Sequence, residues 1–94
     1  MPHNPLSPIC TAASVQYCAA IPNLAWLELL PYDGDWSEFD SIFINRPEVV
    51  DNHFPVTDAP GLGIDINEDA IRGRPFRFWE PPRLARPDGS YTNW

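Results

Sequence analysis

Two polar side chains in this sequence have the types and spacing to do proton chemistry. His3 lies in the rigid stretch Pro2-His3-Asn4-Pro5-Leu6-Ser7-Pro8, and Glu28 closes the otherwise apolar run Ala25-Trp26-Leu27-Glu28. An imidazole is the side chain most easily poised as acid or base near neutrality. A carboxylate that ends an apolar strand must be solvated or paired. Two readings of His3 stand at this point. It is either a loop histidine bonded to backbone, or an acid/base that shares a rim with Glu28.

The elements between them decide whether they can meet. Ser7-Pro8 is a helix-start signal, with Ser at the cap and Pro at the first helical position. The spacing predicts a helix over residues 8–20, with Ile9, Ala12, Ala13, Gln16 and Ala20 along one apolar side. Ile21-Pro22-Asn23 stops it. Residues 24–29 then read as a short strand, apolar on both faces except at Glu28, which is the mark of a parallel-sheet strand. Loop, helix, strand and acid in that order form one unit of an α/β barrel, whose active rim lies at the C-terminal ends of its strands.

After Pro31 the texture changes. Residues 32–36 form a turn with aromatic anchors, and residues 41–45 are a short apolar stretch. Phe54 and Val56 are expected to point inward. His53 is expected in a turn between short strands. Pro60-Gly61-Leu62-Gly63 turns into a strand at Ile64-Asp65-Ile66, and Asn67 caps a short helix. From Gly73 onward an extended tail is expected, anchored by Phe76, Phe78, Trp79, Tyr91 and Trp94, with a last turn at Asp88-Gly89. Pro60 to Gly63 lacks the lysine of a phosphate loop. Asp33, Asp35, Ser37 and Asp40 lack the glycine and glutamate of a calcium loop.

Composition sets limits. The chain has 94 residues, 12 of them proline, so few segments run unbroken. Its net charge of −7 argues against a nucleic-acid partner. There is no lysine, and five of the six arginines fall between Arg72 and Arg86. Cys10 and Cys18 share the predicted helix about 12 Å apart, too far for a disulfide. They read as small buried residues of a reducing compartment. No apolar run suits a signal peptide or a membrane span, so a cytoplasmic protein without a membrane partner is expected.

The ordered motifs resemble the C-terminal part of the mandelate racemase and muconate-lactonizing group of the enolase superfamily, closest to its acid-sugar dehydratases of galactonate and mannonate type. His3-Asn4-Pro5-Leu6-Ser7-Pro8 resembles the loop after the seventh barrel strand. Leu27-Glu28 resembles the end of the eighth. Pro60 to Ile66 is similar to the segment that returns to the capping domain, and Asp88-Gly89-Ser90 with Trp94 to the closing residues.

The resemblance implies an α/β fold, the C-terminal fragment of a (β/α)7β TIM-like barrel with an irregular C-terminal segment. Residues 1–31 would end the barrel, 32–72 would return toward the capping domain, and 73–94 would form the tail. It implies that His3 is an acid/base at the substrate α-carbon and that a protonated Glu28 bonds the substrate carboxylate as it becomes an enediolate. It implies a sugar-acid substrate and a homo-oligomeric intact enzyme. It also implies Mg2+, with ligands on strands outside this chain. Leu27 stands where such dehydratases often carry glutamine, which bears on the sugar accepted. The 94 residues alone are expected to be inactive. Racemisation or cycloisomerisation by the same α-proton chemistry is an alternative, as is a small non-enzymatic acidic interaction protein.

Overall fold

The computed structural model describes residues 1–29, 37–78 and 85–91. Its main element is helix α1, Pro8–Ala20. Pro8 takes the first helical position, where its missing N–H costs nothing. Ser7 is extended there, as a residue before proline must be, and its hydroxyl makes no cap bond. Its carbonyl accepts from Thr11 at 3.1 Å and opens the helical ladder. At the far end Ile21, held extended before Pro22, stops it.

The buried stripe of α1 is Pro8, Ala12, Val15 and Cys18. Ala13 and Ala20, expected on the buried side, face solvent. The helix turns toward its neighbours with the face that carries Val15, the residue there with most apolar area to bury. Both cysteines are free thiols, Cys18 buried and Cys10 half-buried.

Residues 24–29 form no ladder among the described residues, although a strand was expected there. A strand is half of a pairing, and its backbone groups need a neighbour's N–H and C=O. Among the described residues no such neighbour pairs with this segment. Trp26 is 74% exposed, and Leu24 and Leu29 are exposed with it.

The second half is built from short pieces. Helix α2, Ser37–Asp40, leads into strand β1, Phe43–Ile44. Strand β1 pairs antiparallel with β2, Asp65–Ile66, in the register Phe43 to Ile66 and Ile44 to Asp65. Asn67 extends the pairing by donating its N–H to Ile42 O at 2.8 Å. Its side chain also accepts from the N–H of Ala70 at 3.3 Å, capping α3, Glu68–Arg72. Arg72 pairs with Glu68 and Asp69 within that helix.

Between the strands, Val50 and His53 exchange two backbone hydrogen bonds of 2.8 and 2.9 Å. Asp51 and Asn52 join them with φ of 49° and 61°. This is a two-residue turn of the primed kind, which Asn and Asp tolerate better than other side chains. Phe54 is half-buried as expected, but Val56 is exposed.

Gly89, at φ 81°, makes the last turn beside the bridge between Ala85 and Tyr91. The expected anchors of the tail do not pack: Phe76 is 90% exposed, and Phe78 and Tyr91 are also open to solvent. Aromatic side chains bury only where a surface receives them, and the described residues offer none. The turn expected at 32–36, Trp79 and Trp94 lie outside the described residues.

The buried apolar core among the described residues is Ala12, Val15 and Cys18. The radius of gyration is 16.4 Å, against roughly 12 Å for a compact domain of this length. The accessible surface of 7884 Å² exceeds the roughly 5,500 Å² of a folded monomer of this mass. Three small side chains offset little of the entropy of ordering such a chain.

Candidate active site: a histidine–glutamate pair clamped by Asn4

The loop before α1 and the segment after it meet at Glu28. Nδ1 of His3 lies 2.5 Å from Glu28 Oε2, across 25 positions of sequence. The same oxygen accepts the main-chain N–H of Asn4 at 2.7 Å. Asn4 precedes Pro5, and that proline holds it out of helical conformation. Its N–H is therefore free of any helix ladder and points across to the acid.

Asn4 also anchors the acid's backbone. Its Nδ2 donates to the carbonyl O of Glu28 at 3.1 Å and lies 3.1 Å from Thr11 Oγ1, in the first turn of α1. Thr11 Oγ1 in turn lies 3.4 Å from Asn4 Oδ1. Asn4 is 3% exposed and is the buried polar residue among those described. Asn4 is a site residue that no sequence motif singled out. Its signal was an amide held between histidine and proline, which must find partners if buried.

Glu28 is held below the ordinary carboxylate range. The Asn4 N–H is the largest cause, opposed by partial desolvation, and the His3 side chain adds to the lowering. A protonated Glu28 was expected from the resemblance. These donors favour the anion instead. An ionised carboxylate only accepts, so the hydrogen of the shared bond belongs to His3 Nδ1. In the neutral ring of that tautomer Nε2 is the nitrogen without a hydrogen. The His3 side chain is 62% exposed and that of Glu28 24%, so the pair lies open at the surface.

His53 takes no part. Its Nδ1 lies 2.6 Å from the carbonyl of Asp51, inside its own turn. Two surface grooves, of about 530 and 460 Å³, flank α1, but neither is lined by His3 or Glu28.

Magnesium requires about six oxygen ligands in near-octahedral order. Among the described residues no three His, Cys, Asp or Glu side chains gather to hold a metal. Oε2 of Glu28 is already engaged by two donors. The described residues do not build a magnesium site. No helix among them is long and apolar enough to cross a membrane.

A loop histidine and an acid that returns after one helix close on one another here. Residues 1–70 match the family model described as enolase C-terminal domain-like, and the chain belongs to that family. Membership carries an α/β barrel architecture, of which this chain is a part. Among its relatives is a D-galactonate dehydratase family member, RspA, from Halomonas elongata, 32% identical over 98% of this chain and 23% of the relative. Another family member, ManD from Chromohalobacter salexigens, is 30% identical over the same shares. A D-mannonate dehydratase from a Sphingomonas species is 32% identical over 95% of this chain and 21% of its own length. The chain thus spans less than a quarter of the length of these relatives. No solved structure matches it.

Proposed function

We propose that this chain carries the proton-transfer corner of an acid-sugar dehydratase, a hydro-lyase of the enolase superfamily that works in the cytoplasm. Residues 1–29 would correspond to the end of the seventh strand, the seventh helix and the eighth strand of its barrel. One observation carries the reading: His3 Nδ1 and the Asn4 N–H converge on a single oxygen of Glu28, at 2.5 and 2.7 Å.

His3 is the catalytic residue. With Nδ1–H held by Glu28, Nε2 takes the proton from the carbon next to the substrate carboxylate. The C–H electron pair moves into the enediolate. Collapse of the enediolate expels the β-hydroxyl, which leaves as water on receiving a proton from the imidazolium. Glu28 is a positioning residue. It fixes the tautomer and stabilises the imidazolium while the proton is held, the part a buried acid plays beside a catalytic histidine elsewhere.

The second negative charge of an enediolate needs an electrophile to stabilise it. Mg2+ would supply that in the intact enzyme, on ligands outside this chain. The working unit is thus larger than these 94 residues. The relatives' names point to a sugar acid as substrate.

The test is a replacement. Residues 1–94 are put in place of the matching C-terminal part of the Chromohalobacter salexigens relative, and dehydration of D-mannonate and D-galactonate is followed by product analysis. Turnover is expected, with a loss of roughly 10²–10⁴-fold on His3→Asn. Full activity of the His3→Asn hybrid sinks the reading. So does turnover by the 94-residue chain on its own.

A further inference from the structure

The pair is only as well placed as whatever holds Glu28, and among the described residues Asn4 holds both its carboxylate and its main chain. We infer that Asn4 is the positioning residue of this site: through its main-chain N–H it fixes the Glu28 carboxylate, and through its side-chain amide it fixes the Glu28 backbone. Together these contacts set where His3 finds its acceptor. The inference rests on the His3–Glu28 reading for its catalytic meaning, but its geometry stands alone.

Three observations carry it. The first is direction. Glu28 O is a carbonyl and only accepts, so the NH2 end of the Asn4 amide must face it, at 3.1 Å. The second is reach. The same amide meets Thr11 Oγ1 at 3.1 Å and so ties the Glu28 carbonyl to the first turn of α1. The loop, the helix and the acid are then one hydrogen-bonded unit. The third is burial. Asn4 is 3% exposed, whereas the histidine beside it is open. A buried amide without partners is costly, and this one is fully engaged. Aspartate would not replace it, because its carboxylate would turn an acceptor toward the Glu28 carbonyl.

The local backbone explains why one residue does both tasks. Its N–H and its side chain emerge on the Glu28 side of an extended residue pinned by Pro5. His3, one position earlier, then meets the oxygen that the Asn4 N–H has already oriented. The lowered titration of Glu28, whose largest cause is this N–H, agrees with the geometry.

The test uses nuclear magnetic resonance on the hybrid enzyme, with residues 1–94 isotope-labelled by segmental ligation. In the unmodified protein the Asn4 amide proton is expected to shift with the same midpoint as the Glu28 carboxyl carbon. On Asn4→Ala the Glu28 midpoint should rise toward the ordinary glutamate value while the α1 amide resonances keep their positions. Thr11→Val, which spares the Asn4 contacts to Glu28, should raise it less. An Asn4 amide that ignores the Glu28 titration overturns the inference. So does an unmoved Glu28 midpoint in Asn4→Ala. If that substitution melts α1, the amide tracking of the unmodified chain decides. A neutral His3 that carries its proton on Nε2, with the Asn4 tracking intact, would refute the dyad and leave the clamp standing.

Discussion

Oε2 of Glu28 lies 2.5 Å from Nδ1 of His3 and also receives the main-chain N–H of Asn4 at 2.7 Å. The pairing inverts a simple expectation about this acid. A glutamate that bonds a substrate carboxylate must first be protonated. A glutamate that receives two donors is stabilised as the anion.

The tautomer of His3 follows directly. At a pH where the ring is neutral, nitrogen-15 shifts should place the proton on Nδ1. Glu28→Leu, which keeps the bulk and removes the acceptor, should return it to Nε2. A proton already on Nε2 in the unmodified chain would end this reading of the pair.

Kinetics of the hybrid enzyme separate the two roles of Glu28. As a positioning residue its loss should lower kcat by about 10²-fold, the cost of a misplaced reacting group, with KM little changed. Glu28→Leu is the variant to measure. A rise in KM at constant kcat would return Glu28 to the substrate carboxylate.

Acid should loosen the corner. Glu28 titrates below the ordinary glutamate range when folded, because the Asn4 N–H and then His3 favour its charged form. In acid the unfolded chain therefore binds more protons at this group, and stability rises with pH. The contribution is complete above the ordinary glutamate range and is lost as pH falls through it to the depressed midpoint. Hydrogen exchange of the Asn4 amide should lose protection across that interval. Protection that persists below it counts against the clamp.

Gly63 has little room to change. Its φ is 72°, and a Cβ there would lie 2.6 Å from Thr57 Cγ2. Gly63→Ala should cost about 1–2 kcal/mol from the left-handed backbone alone, read as a lower Tm of the hybrid. Thr57→Ser, which removes the offending methyl, should recover part of it. An unchanged Tm for Gly63→Ala would show that the turn re-forms differently.

The isolated chain should not melt cooperatively. Its buried apolar side chains among the described residues are Ala12, Val15 and Cys18, too few for a stable core. Calorimetry should show no sharp transition, and a hydrophobic dye should bind at low temperature. A single sharp endotherm would mean that these residues form a self-sufficient domain.

Local signals were legible where a single residue enforces them. Pro8 and Pro22 bound α1 from either side, and Asn67 caps α3 through its own side chain. The meeting of His3 with Glu28 was also legible, because a loop, a helix and a returning segment leave few other arrangements. Features that depend on a second surface were not. Residues 24–29 have the apolar pattern of a strand, but a ladder needs a neighbour that the described residues do not supply. Phe76 and Phe78 were expected as anchors for the same reason and stand in solvent. Asn4 was missed because its role is set by distance in space, 24 positions from the carbonyl it holds.

The side-chain amide of Asn4 grips the main chain of position 28, not the side chain found there. Whatever amino acid occupies that position is presented at the same place and height on the rim. Position 28 is therefore an interchangeable socket. A designer who keeps Asn4 and Thr11 could fit it with glutamine, histidine or tyrosine and rewrite the chemistry beside His3 without rebuilding the scaffold.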